Sequence, residues 1–102
     1  MSSGMTIGLL VRIEAKPEYA EQVGAMLRDA VALANEEERT LAWFSFRESA
    51  TTFGVFDTFA DEQGRAAHLQ GRIAAALMEA APTMLAVAPD IRQIDLLAAK
   101  LP

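Results

Sequence analysis

The stretch "FGVFDTFADEQGRAAHLQG", Phe53 to Gly71, decides how the chain is read. Its first half sets Phe53, Val55 and Phe59 on one side and Phe56 on the other, the period-two, aromatic-rich pattern of a strand. Asp61 then stands where an N-cap is wanted. From there "DEQGRAAHLQGRIAAALMEAA" reads as a helix, with Leu69, Ile73 and Leu77 at i, i+4 and i+8. Gly64 and Gly71 each weaken it by ~1 kcal/mol relative to alanine and mark a break or a close approach of backbone. Pro82 ends or kinks the segment. The helix carries His68, the only histidine of the chain.

Working outward, Thr6 to Ala15 alternates Ile7, Leu9, Val11 and Ile13 against Gly8, Leu10, Arg12 and Glu14, which predicts a strand. Pro17 suits a first helical turn, with Glu18 and Glu21 where negative charge favours a helix N-terminus. Tyr19, Val23, Met26, Leu27, Ala30, Leu33 and Ala34 form one apolar stripe at helical spacing. The run Glu36, Glu37, Glu38 reads as the solvated end of that segment. Thr40–Glu48 and Thr52–Phe59 are strands joined by "SAT", as in an antiparallel hairpin. Pro89 and Asp90 lead into a last strand, Ile91–Ala98. The order β-α-β-β-α-β predicts an α+β, ferredoxin-like domain, an antiparallel sheet with both helices on one face. It occupies residues 6–102 behind a flexible tail, residues 1–5.

With 102 residues the chain is one domain, burying somewhat over ~60% of the surface its unfolded form exposes. Hydrophobic residues make up 52% and charged residues 23%, a globular composition. A net charge of −5 argues against a nucleic-acid-binding face and against docking on an anionic membrane. The absence of cysteine excludes disulfides, thiolate nucleophiles and cysteine-held metals. No signal-like N-terminus or membrane-length apolar run is present, so a cytoplasmic location is expected.

A sheet covered by helices on one face ordinarily turns polar residues to water on the other. Here Ala42, Phe44 and Phe46 lie opposite Leu41 and Trp43, and Phe56 opposite Phe53, Val55 and Phe59, so both faces carry large apolar groups. Such a patch exceeds what monomers usually expose, and a homodimer through the open face of the sheet is expected.

Over Thr6 to Pro102 the chain resembles the antibiotic-biosynthesis monooxygenase family of small dimeric α+β barrels. The resemblance rests on Asp57 late in the third strand, Phe59 two positions on and His68 nine beyond that, followed by Leu69. "IRQIDLLAAK", with Asp95, is similar to the family's final strand. Relatives often have Glu and Trp where this chain has Asp57 and Phe59, and a second histidine where it has Gly71, Arg72 and Ile73. Haem degradation, which in relatives uses an Asn, Trp and His trio, is disfavoured. Asn35 lies at the end of the first helix, His68 falls where that Trp sits, and the place of the His is near Met78. The resemblance implies oxygenation of a small aromatic quinol or polyphenol by dioxygen without a cofactor, in a pocket between the sheet and the second helix beside Gly71, Ala74 and Ala75.

The individual residues admit two readings each. His68 is a proton-transfer group oriented by Asp57, or a histidine at a helix surface or dimer edge. Trp43 stacks on a flat substrate or packs in the core or interface. Arg47 and Arg72 hold an anionic oxygen or are surface charges. Met26, Met78 and Met84 line an adaptable cavity or fill gaps. No dinucleotide loop, P-loop or histidine pair for a metal is present. Beside the monooxygenase, a dimeric binding or structural protein without turnover and a small-metabolite isomerase stay open.

Overall fold

The central strand, β1 (Ile7–Glu14), buries Leu9, Val11 and Ile13 on one face and turns Leu10 and Arg12 outward. It belongs to a computed structural model that describes residues 4–102. Part of the expected N-terminal tail, residues 1–3, therefore lies outside the described residues. At Met5 the sulfur accepts a hydrogen bond from the Thr58 hydroxyl at 2.8 Å.

Pro17–Tyr19 form a 3-10 turn, followed by α1 (Ala20–Asp29) and the short α2 (Val31–Ala34). The expected single helix thus begins with a tighter turn, a common way to open a helix whose first residue has no N–H to give. Ala30 interrupts it for one residue without leaving its path: Ala30 N–H bonds to Met26 O and Ala34 N–H to Ala30 O, both at 3.0 Å. β2 (Ala42–Arg47) and β3 (Thr52–Phe59) make the hairpin. The long helix after it is two helices, α3 (Glu62–Leu69) and α4 (Arg72–Met84), parted at Gly71, whose extended backbone caps α4. Pro82 lies inside α4, which runs on two residues to Met84.

β4 (Asp90–Asp95) is shorter than the expected Ile91–Ala98. Its pairing with β1 ends at Ile7 opposite Asp95, with a last backbone hydrogen bond from Leu96 N–H to Thr6 O at 2.9 Å. The sheet order is β2-β3-β1-β4, antiparallel throughout and not closed on itself. With the helices on one face, this is the α+β, ferredoxin-like arrangement.

The core lies between the sheet and the helices, where Val11, Ile13, Phe53 and Val55 meet Val23, Leu27 and Leu77. Across the sheet Phe44 and Phe56 are register partners with stacked rings 6.2 Å apart, and Leu10 follows next to Phe56 on β1. Phe44, Phe46 and Leu10 are exposed. Among the described residues no helix is long and apolar enough to cross a membrane, and no group of three or more His, Cys, Asp or Glu is placed to hold a metal ion.

Candidate functional site

The alternation of β3 turns Val55, Asp57 and Phe59 toward the helices, with Asp57 opposite Leu9 on β1 and Trp43 on β2. Asp57 is fully buried there, an unusual place for a carboxylate without a charged partner. The partner comes from α3. Asp61 accepts a hydrogen bond from Gly64 N–H at 2.9 Å, which fixes the helix start and sets His68, two turns on, above β3. His68 Nε2 stands 2.9 Å from Asp57 Oδ2. Its Nδ1 lies 2.7 Å from Oε1 of Glu37, in the turn after α2. The same Glu37 oxygen accepts a 2.7 Å hydrogen bond from the Thr40 hydroxyl. The Phe59 ring flanks the imidazole at 5.4 Å between centroids, with the planes at 44°.

Burial of the imidazole pulls its pKa down, but the hydrogen bonds and charges of Asp57 and Glu37 outweigh that pull and leave it above its ordinary value. His68 therefore holds its proton more tightly than a free imidazole does, between the side chains of Asp57 and Glu37. The two contacts differ. Nδ1 and Glu37 Oε1 form a well-aligned hydrogen bond at 2.7 Å, whereas Nε2 and Asp57 Oδ2, 2.9 Å apart, meet less well aligned.

His68 also stands between two spaces. On one side is an apolar cavity of about 340 Å³, walled by Leu9, Val11 and Val55 of the sheet and by Leu27, Ile73 and Leu77 of the helices. On the other is a polar cleft of about 390 Å³ bounded by Glu37, Arg39, Gly71 and Arg72. The cavity has room for a drug-sized ligand at the lower end of the usual range.

The structure thus gathers His68, Asp57 and Phe59, and distributes the other candidates. Gly71 borders the polar cleft, where a Cβ would stand 3.1 Å from Glu37 Oε2, so its missing side chain leaves room for that carboxylate. Arg72, on the rim of the cleft, is exposed and 4.0 Å from Glu36. Trp43 packs against Ala30, Ala34 and Ile73 and borders a separate groove with Arg47. Arg47 donates to the carbonyls of Ser49 and Ala50 in its own hairpin, and its guanidinium lies 5.1 Å from the centre of the Phe53 ring. Met26, Met78 and Ala74 line the apolar cavity, while Met84 packs on the core and Ala75 is exposed.

Glu37 is the residue that sequence reasoning missed. Expected as part of a solvated charge run, it turns inward while Glu36 and Glu38 stay exposed. Nothing in the spacing of three consecutive glutamates singles out the middle one. Arg65 escaped notice too: buried on α3, it pairs with Glu62 and donates to Gly8 O at 3.1 Å, tying the helix to β1.

The open four-stranded antiparallel sheet, with helices on one face over this site, defines the class: the chain has the fold shared by solved structures described as antibiotic biosynthesis monooxygenases. Among solved structures it is similar to a protein of unknown function from Nitrosomonas europaea, with 50% identity, 99% of this chain and 98% of that chain covered, and a TM-score of 0.95. It is also similar to an antibiotic biosynthesis monooxygenase, with 16% identity, 90% and 99% covered, and a TM-score of 0.78. A protein of unknown function from Bacteroides thetaiotaomicron, described as a possible oxidoreductase, shares 16% identity over 92% of this chain and 100% of that one, with a TM-score of 0.76. At 16% these last two likenesses carry the fold alone. No protein-family model and no curated protein matches the chain.

Proposed function

We propose that the protein is a monooxygenase that needs no cofactor and oxidises a small aromatic quinol or polyphenol with dioxygen. The observation that carries this reading is the apolar cavity of about 340 Å³ with a buried histidine, held between two acidic side chains, in its wall. In its neutral form His68 takes the phenolic proton of the bound substrate. The electron-rich anion passes one electron to dioxygen, and the two radicals join as a carbon-bound peroxide. The imidazolium returns its proton to the outer peroxide oxygen. Cleavage of the O–O bond then releases that oxygen as hydroxide, which combines with the proton lost from the same carbon to form water and leave a quinone. Phenol plus dioxygen thus gives quinone plus water, and the protein contributes a proton carrier and a water-poor cavity.

Asp57 orients the ring in this scheme, and Phe59 packs against it. The test is incubation with a panel of quinols and polyphenols, following absorbance and oxygen uptake with and without air. The expected result is oxygen-dependent quinone formation that His68→Ala lowers by about 100-fold or more. Turnover unchanged in that variant would refute the role of His68. Turnover without oxygen would point to an isomerase.

One observation favours a second reading, a ligand-binding or structural protein without turnover: both ring nitrogens already face protein carboxylates. Ligand retention with no oxygen uptake across the panel would select it. With either reading we propose a cytoplasmic homodimer joined through the open face of the sheet, where Phe44, Phe46 and Leu10 stand exposed.

A further inference from the structure

We infer that Glu37 carries protons between His68 and solvent, as the outer carboxylate of a relay whose inner end is sealed. Asp57 has no exposed surface and borders neither of the two spaces beside His68. A proton cannot leave the buried ring through it. Glu37 differs: its side chain is 21% exposed, it bonds Nδ1 at 2.7 Å, and it forms part of the wall of the polar cleft. His68 is the one residue of the pair that also borders the apolar cavity. The path from cavity to cleft therefore runs through the imidazole and then through Glu37.

Two details place the carboxylate for this work. The Thr40 hydroxyl donates to the same Oε1 that meets Nδ1, holding it on the ring. Gly71 leaves the space that Oε2 occupies. The charged groups around the path are Asp57 from β3, Glu37 itself, and Glu36, Glu38, Arg39 and Arg72 along the cleft. The step is a proton transfer and nothing more. Nδ1 gives its proton to Glu37 Oε1, leaving a neutral ring and a carboxylic acid. The acid releases the proton to water in the cleft, and the reverse order recharges the ring.

The role rests on the acid–base reading of His68, yet its test needs no substrate. Because His68 is the only histidine, its imidazole signals in a nitrogen-15 spectrum require no assignment. In Glu37→Gln, which keeps the shape of the side chain, exchange of the ring N–H with water should slow by about 100-fold. The ring should also titrate at lower pH than in the parent protein, and Glu37→Asp should restore part of the exchange. Were Glu37→Gln to disturb the fold, Thr40→Ala frees the carboxylate from its anchor and should slow exchange in the same direction. Exchange and titration unchanged in these variants would overturn the relay. Normal relay behaviour without oxygen uptake would overturn the proposed oxygenation instead, so the two failures are distinguishable.

Discussion

His68 shows how far a single residue's surroundings decide what it can do. An isolated imidazole titrates at about 6.5 and is mostly neutral at physiological pH. In the protein burial works against its charged form, but Asp57 and Glu37 favour that form by more, so its pKa is raised. The folded state thus binds this proton more tightly than the unfolded chain. The stabilisation is fully present below about pH 6.5 and is lost as pH rises through the raised value of the folded protein. Urea midpoints measured across that interval should fall with pH in the parent protein and stay flatter in His68→Gln. A parallel pH dependence in both would refute this linkage. Asp57 and His68 were legible in the sequence as a spaced pair. Glu37 was not, because the direction in which a glutamate in a charged turn points depends on what the fold places beside it.

At the scale of elements, the β2–β3 hairpin shows how side chains set strand geometry. Phe46 and Gly54 are register partners on the open face, and a Cβ at Gly54 would run into the Phe46 ring. The ring lies over the glycine, which an aromatic can do only where no side chain opposes it. Gly54→Ala should therefore destabilise the protein by about 1–3 kcal/mol, the usual cost of overpacking. Chemical denaturation would measure it, and adding Phe46→Ala should cost less than the sum of the two single changes. Beyond the turn, Glu14 on β1 accepts hydrogen bonds from the hydroxyls of Thr51 at 2.7 Å and Thr52 at 2.6 Å. These two hydroxyls hold its carboxyl below the usual range. Strands and hairpin were readable from alternation. The split between α3 and α4 was signalled by Gly71, but glycine alone did not say that the chain would break there.

For the molecule as a whole, the open sheet face is where we propose that a second copy packs. Phe44 is 54% exposed, and with Phe46 and Leu10 it makes an apolar strip that a monomer would leave in water. A second copy packed on the same face would bury it, in an interface of the order of 1,600 Å² in total. Light scattering at micromolar concentration should report a dimer, and Phe44→Asp, which sets a charge in the strip, should shift it to monomer. A parent protein that stays monomeric there would sink the proposal. The two aromatic sides of the sheet were evident from the strand patterns of residues 40–59.

By itself, the amino-acid sequence determined the order of elements, the two apolar faces of the sheet and the spacing of Asp57, Phe59 and His68. Those properties are local: they follow from periodicity along one strand or one helix, which a linear reading captures. Only the tertiary structure decided that Glu37 completes the site, that Trp43 and Arg47 stand apart from it, and that Gly71 makes way for a carboxylate. Each of these depends on which residues distant in the chain are packed together, and on the balance there between burial and neighbouring charge.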